Sequence, residues 1–283
     1  MPILSIQSHV AYGHVGNSSA VFPLQRRGHE VWPIHTVQFA AHTGYGPPKG
    51  RVFDAVMIDE VMQGIAERPD FVTCEAVLSG YMGSVEMGEA ILRAVERVKA
   101  ANPSALYCCD PVMGDIGRGF FVRSDMPDFI RELVVPTADI LTPNLFELEV
   151  LSGLKCSDLA SVRKAFDAVH RLGPRIILLT SGATEGTPPD QFDMLASDAT
   201  GVWRVRTPRM AFSPNGAGDL VAALFLSRYL QSRSVVDALG FAASAVHGVL
   251  QATYDAHSAE LLLIKAQNEF VSPLHFFEPE LIG

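Results

Sequence analysis

Cysteine is scarce in this chain. Its 283 residues contain four, Cys74, Cys108, Cys109 and Cys156, none in a C-x-x-C spacing. A vicinal pair such as Cys108 and Cys109 suits neither a disulfide nor a tetrahedral zinc site, and both are expected as small buried residues in an apolar run ending at Asp110. Basic residues are also in deficit, with 22 Lys and Arg against 31 Asp and Glu and a net charge of −9. With no long basic run, nucleic acid and anionic membrane surfaces are excluded as partners. An anionic ligand must then be met by backbone N–H groups and a metal ion. The opening residues lack the basic, apolar and small-residue order of a signal peptide, and Ile3 to Gln7 is too short to span a bilayer, so a cytoplasmic protein is expected. Missing too are G-x-G-x-x-G after the first apolar run, which weakens a hydride-transfer reading, and H-E-x-x-H spacing. His9, His14 and His42 are therefore expected to be surface or supporting histidines. No fixed-period repeat, low-complexity linker or composition break divides residues 1–283, which are expected to form one domain.

What is present is alternation of strand and helix patterns. Apolar runs at Ile3 to Gln7, Val31 to Thr36, Ala76 to Ser79, Leu106 to Cys109, Ile140 to Leu141 and Ile176 to Thr180 predict strands. Between them, segments such as Met87 to Ala100 place Ile91, Leu92, Val95 and Val98 at helical spacing. This βα alternation predicts a mostly parallel α/β sheet. Phe192 to Ser197 and Val202 to Thr207 flank the turn sequence Asp198-Ala199-Thr200-Gly201 and predict an antiparallel hairpin at one edge. Helices are expected to dominate from Gly216 to the end.

The polar motifs follow predicted strands, where open α/β sheets bind ligands. Asn215-Gly216-Ala217-Gly218-Asp219 precedes an apolar helix. Its glycines let N–H groups converge on an anion, and the adjacent carboxylate could take a proton from an attacking alcohol, as phosphoryl transfer requires. The same four-residue pattern also suits a simple glycine turn with an acidic first-turn residue. Asp110 and Asp115, five residues apart in a loop, could face a hard cation or form a solvated acidic loop. Asn144 and Glu147 have capping-box spacing, which explains both without a ligand. Thr180, Ser181 and Ser8 could bind a ligand or satisfy local turns. Their joint placement on one rim of the sheet is more telling than any single motif.

Taken in order, Gln7-Ser8-His9, Gly16-Asn17, Phe22-Pro23-Leu24-Gln25, Val37-Gln38-Phe39, His42-Thr43-Gly44-Tyr45, Ser79-Gly80-Tyr81, Cys109 to Gly114, Thr142-Pro143-Asn144 and Gly216 to Asp219 resemble the pyridoxal kinases of the ribokinase-like superfamily. The resemblance covers nearly the whole chain. It implies a three-layer α/β/α sandwich with a mostly parallel central sheet and an antiparallel edge hairpin. It also implies ATP-dependent phosphorylation of the 5′-hydroxymethyl group of pyridoxal and related vitamers by a homodimer. Ser8, Thr43 and Tyr81 would contact the pyridine ring, with His42 and Val15 nearby. Asp219 would be the base, and the N–H groups of Gly216, Ala217 and Gly218 would hold the transferring phosphoryl group. Asp110, Asp115, Thr142 and Glu147 would organise Mg²⁺, K⁺ or another monovalent cation, and the triphosphate. Asn144, Thr180, Ser181, Thr207, Arg209 and Met210 would lie along ATP.

Three departures stand out. Many bacterial members carry Lys at Thr180 and Gln at Gly44, whereas this chain has residues of the animal type there; Pro214-Asn215 before the cradle is also unusual. Rival readings are a hydroxymethylpyrimidine or sugar kinase, or a non-catalytic protein that binds pyridoxal 5′-phosphate. Hydroxymethylpyrimidine kinases usually place Cys where Asp219 stands.

Overall fold

The fold follows from apolar runs that lack polar alternation. Such runs are stable only when both faces of the sheet are covered. In the computed structural model, which describes residues 2–182, 184–212 and 214–282, β4 (Ala76–Ser79) and β9 (Ile176–Leu179) are buried at every position. With β1 (Pro2–Val10), β2 (Glu30–Phe39), β5 (Leu106–Cys109) and β8 (Ile140–Leu141) they form six parallel strands in the order β9-β8-β5-β4-β1-β2. All six carboxyl ends therefore lie on one rim. β3 (Gly50–Val52) adds an antiparallel strand beyond β2. Pro33 is tolerated within β2 because β3 pairs only with Val37 to Phe39, leaving no neighbour on that side to need the missing N–H.

Successive side chains of a strand face opposite ways, and the core divides accordingly. Leu4, Ile6, Val77, Cys109, Leu141, Ile177 and Leu179 face one apolar layer. That layer contains α2 (Ala55–Ala66), α3 (Val85–Ala101), α4 (Met126–Phe129), α5 (Leu145–Ser152) and α6 (Leu159–His170). Ile3, Ala76, Leu78, Cys108, Ile140, Ile176 and Leu178 face the other, which holds α1 (Asn17–Arg26), α7 (Ala217–Ser232) and α8 (Val235–Asp255). The expected three-layer α/β/α architecture is thus present. α8 is long and apolar enough to cross a membrane, but most of it is buried inside the protein, mainly against α7 and the edge hairpin.

The hairpin forms as expected. Strands at Gln191–Asp198 and Gly201–Pro208 pair antiparallel beside β9, with Asp198 opposite Gly201. The expectation of helices up to the carboxyl end needs correction. Regular helix stops at Asp255, and residues 256–282 run through turns to a short strand, Glu280–Leu281, paired with the hairpin's outer strand. Leu261 and Leu263 are both fully buried, an extended two-residue spacing, and Pro273 and Pro279 lack the N–H that helix continuation needs.

Candidate active site

The glycine cradle opens α7. Gly216 has φ 84°, the left-handed region, and an added Cβ would collide with the His14 carbonyl oxygen. Only glycine satisfies both conditions. The Ser19 hydroxyl donates to the Gly216 carbonyl at 2.9 Å, so the turn after β1 and the start of α1 brace the cradle. No side chain caps this helix start, which leaves the first-turn N–H groups for an anion. A Cβ on Gly218 would lie 3.9 Å from Asp110 Oδ2, so the Asp110 carboxylate faces the cradle. Burial raises the Asp219 carboxyl to about 6, opposed by a hydrogen bond donated by the Gly16 N–H.

Beneath the cradle lie more carboxylates. Asp110 is 8% exposed and Glu147 2%. Burial first, then the negative charges of Glu147 and Asp219, push Asp110 well above its ordinary value. Burial also pushes Glu147 up to about 8, against hydrogen bonds from the backbone of Asn144, Met113 and Gly114 and with repulsion from Asp115. Glu147 accepts the N–H groups of Met113 and Asn144, each at 2.9 Å, while Asn144 Oδ1 accepts the Glu147 N–H in return. The capping box is therefore real, and it straps the loop after β5 to α5. Asn144 Nδ2 completes the strap by donating to the Gly114 carbonyl at 2.8 Å.

Thr142, 1% exposed, has a buried hydroxyl without a hydrogen-bond partner, and its N–H donates to Cys109, the residue before Asp110. A buried orphan oxygen beside mutually repelling carboxylates fits a hard cation, whose remaining ligands can be water and phosphate oxygens. Among the described residues there is no group of three or more His, Cys, Asp or Glu that could hold a metal ion by itself. The two loop carboxylates are not equivalent. Asp115 is exposed on β6 (Gly114–Asp115), which pairs with β7 (Gly119–Phe120), and its Oδ1 accepts the Ile116 N–H at 2.7 Å.

Across the rim, Ser8 sits where the β1–β2 pairing shifts register, between Gln7 and His9. Irregular pairing of this kind often re-aims side chains at a site. Beneath it is a buried polar network absent from the sequence reading. Gln7 Nε2 donates to Ser5 Oγ at 3.0 Å, Ser5 Oγ to Asn17 Oδ1 at 2.7 Å, and Asn17 Nδ2 to the Ile34 carbonyl at 2.9 Å. Val15 is buried and Tyr81 half-buried, with burial raising the Tyr81 phenol; Thr43 is exposed. His42 Nδ1 accepts the Gly44 N–H at 3.0 Å and caps the short turn Thr43–Tyr45. Burial and then the Arg118 charge lower its pKa, partly offset by Glu260. His9 stacks on His35 at 4.2 Å and its Nδ1 lies 3.0 Å from the Ser18 hydroxyl, while His14 Nδ1 meets the Ser18 carbonyl at 3.1 Å, so these two meet at Ser18 and His42 caps a separate turn.

Towards the edge hairpin, Thr180 donates through its hydroxyl to the Pro143 carbonyl at 3.3 Å, and Ser181 is half-buried beside it. Thr207 is buried opposite Phe192. Arg209 and Met210 line a cleft of about 270 Å³ with Pro189 and Ala211.

A backbone cradle, a half-buried carboxylate and a cation-ready floor, all on the carboxyl rim of a parallel sheet, suit the movement of a phosphoryl group onto an alcohol. In class, this is a small-molecule kinase. Residues 50–261 match the phosphomethylpyrimidine kinase family model. The chain is 48% identical to the pyridoxal kinase PdxY of Corynebacterium diphtheriae, with both chains covered in full. It is 52% identical to that of Granulibacter bethesdensis, over 99% of this chain and 100% of the relative. Its fold superimposes on pyridoxal kinase from Leishmania donovani in complex with ADP and pyridoxamine with a TM-score of 0.90 at 30% identity, covering 99% of each chain. The chain belongs to the pyridoxal kinase family.

Proposed function

We propose that this protein transfers the γ-phosphoryl group of ATP to the 5′-hydroxymethyl group of pyridoxal, and to pyridoxine and pyridoxamine, forming pyridoxal 5′-phosphate and its counterparts in vitamin B6 salvage. The observation that carries the reading is Asp219 beside an uncapped N–H cradle, with its carboxyl raised to about 6. That carboxyl is mostly ionised at pH 7 yet more basic than an ordinary carboxylate, as suits a general base. Asp219 takes the hydroxyl proton as the alkoxide forms. The N–H groups of Gly216, Ala217 and Gly218 stabilise charge on the transferring group.

Asp110 and Thr142 would hold Mg²⁺, with Glu147 and Asp115 acting through water, and K⁺ or another monovalent cation would share this acidic floor. Bound there, the cations neutralise charge on the β- and γ-phosphates. Asn144, Thr180, Ser181, Thr207, Arg209 and Met210 would follow ATP. Ser8, Val15, His42, Thr43 and Tyr81 would surround the pyridine ring. The reading takes residues 1–283 as one domain of a cytoplasmic homodimer acting on small molecules.

Initial rates with the three vitamers, a hydroxymethylpyrimidine and a sugar, at matched ATP and across Mg²⁺ and K⁺ concentrations, test it. Vitamer turnover with little turnover of the other alcohols is expected. Preferred turnover of the pyrimidine or sugar would replace the acceptor. Binding of pyridoxal 5′-phosphate with no turnover under any condition would leave a carrier protein.

A further inference from the structure

We propose that Glu260 is a positioning residue that ties the loop after β2 to the phosphoryl cradle. It belongs to none of the sequence motifs and lies 246 residues from one of its partners. Glu260 Oε2 accepts the His14 N–H at 3.0 Å, and Oε1 accepts the Tyr45 hydroxyl at 2.6 Å. One carboxylate thus clamps the turn after β1 to the turn that carries His42 and Thr43.

A third observation supports the clamp. Gly13 has φ 89°, and a Cβ there would collide with the Glu260 carboxylate, so the turn is shaped to admit it. The aromatic rings of Tyr12 and Tyr45 also meet edge to face at 6.0 Å over the same junction. Glu260 itself is held from below. Ser258 Oγ donates to its carbonyl at 2.7 Å and accepts its N–H at 3.2 Å, while the next residue, Leu261, is fully buried.

The clamp reaches the cradle through main chain. The His14 carbonyl abuts Gly216, and two residues further on the Gly16 N–H donates to Asp219. Displacing His14 therefore disturbs both the cradle and the carboxylate beside it. Releasing Tyr45 frees only the loop that faces the acceptor. The two contacts of one side chain then have separable kinetic consequences, an inference that rests on the kinase reading above.

The test compares Tyr45→Phe, Glu260→Gln and Glu260→Ala in the full-length protein by steady-state kinetics and by hydrogen exchange of residues 10–16 and 40–50. For Tyr45→Phe, loss of one hydrogen bond to a charged acceptor should raise KM for pyridoxal about 5-fold with kcat nearly unchanged. Glu260→Ala should raise KM similarly, lower kcat by about 10-fold and speed exchange in both segments. Glu260→Gln keeps an oxygen for the His14 N–H and should restore most of kcat. Unchanged kcat in Glu260→Ala, or no rescue by Glu260→Gln, overturns the proposal. If Glu260→Ala does not fold, Tyr45→Phe and Glu260→Gln decide: an unmoved KM in Tyr45→Phe, or a kcat in Glu260→Gln well below wild type, overturns it. If the wild-type protein phosphorylates no vitamer, the functional reading fails by itself, and exchange rates in the variants still decide the clamp.

Discussion

The two halves of the carboxyl rim are built differently. On the proposed phosphoryl side, Asp110, Thr142 and Glu147 are buried, and main-chain N–H groups hold Glu147. On the proposed acceptor side, Thr43 and Tyr45 are exposed, and the loop that bears them is tied down by Glu260 and the Tyr12 ring at Tyr45 and by the His42 cap. Charge that develops during phosphoryl transfer is best met by dipoles fixed in advance and shielded from water. A substrate pocket must instead open and close, so its walls come from turns tied by a few breakable contacts. The contrast predicts that changes on the phosphoryl side act on kcat and on cation demand, and those on the acceptor side on KM.

The largest effect is expected for Asp219→Asn. Loss of the base should lower kcat by about 10²- to 10⁴-fold with ATP binding mostly retained, as rapid-quench rates and nucleotide titration would measure. Wild-type turnover would remove Asp219 from that role and erase the contrast. Next is Thr142→Val, which deletes the orphan hydroxyl at nearly constant volume. The Mg²⁺ concentration for half-maximal rate should rise by about 10-fold while thermal stability is kept, because no protein hydrogen bond is lost.

The third prediction concerns pH. Asp219 and Glu147 have folded pKa values of about 6 and about 8, both raised chiefly by burial. A raised carboxyl binds its proton more tightly in the folded state, so its stabilising contribution is complete below the unfolded value and is lost as pH rises through the folded one. Without cations, these groups should make the protein more stable near pH 5 than near pH 8, and Mg²⁺ should raise Tm more at pH 8. An equal Mg²⁺ shift at both pH values would argue against a cation on this acidic floor. The smallest effect is expected for Thr180→Lys. It exchanges a hydroxyl donated to Pro143 for a mobile charge and should lower KM for ATP only a few-fold if, as proposed, the backbone cradle carries most of the anion binding.

Much of the frame was legible in advance because burial on both sheet faces leaves unbroken apolar runs. β4, β5 and β8 have the expected bounds, and the hairpin turn falls at Asp198 to Gly201. The carboxyl-terminal stretch was not, since Leu261 and Leu263 gain their burial from distant helices rather than from a local period. At the site, motifs confined to one turn, such as Gly216 to Asp219, could be read directly. Glu147 kept two readings open because capping and cation binding ask for the same residue, and the structure shows the capping box in place. Asp110 and Asp115 looked alike in sequence but differ in burial, because Asp110 directly follows β5 while Asp115 lies on the exposed β6–β7 hairpin. Glu260 gave no signal at all.

Sequence alone determined the alternation of strands and helices, the glycines that admit a close backbone approach, and the chemical types of the rim residues. Each of these is a local property of a few neighbouring side chains. Tertiary structure alone decided that the His14 carbonyl would forbid any side chain at Gly216, that Asp219 would be raised by burial, and that Glu260 would join turns far apart in the chain. Those outcomes depend on which surfaces exclude water from one another, and no stretch of sequence carries that by itself.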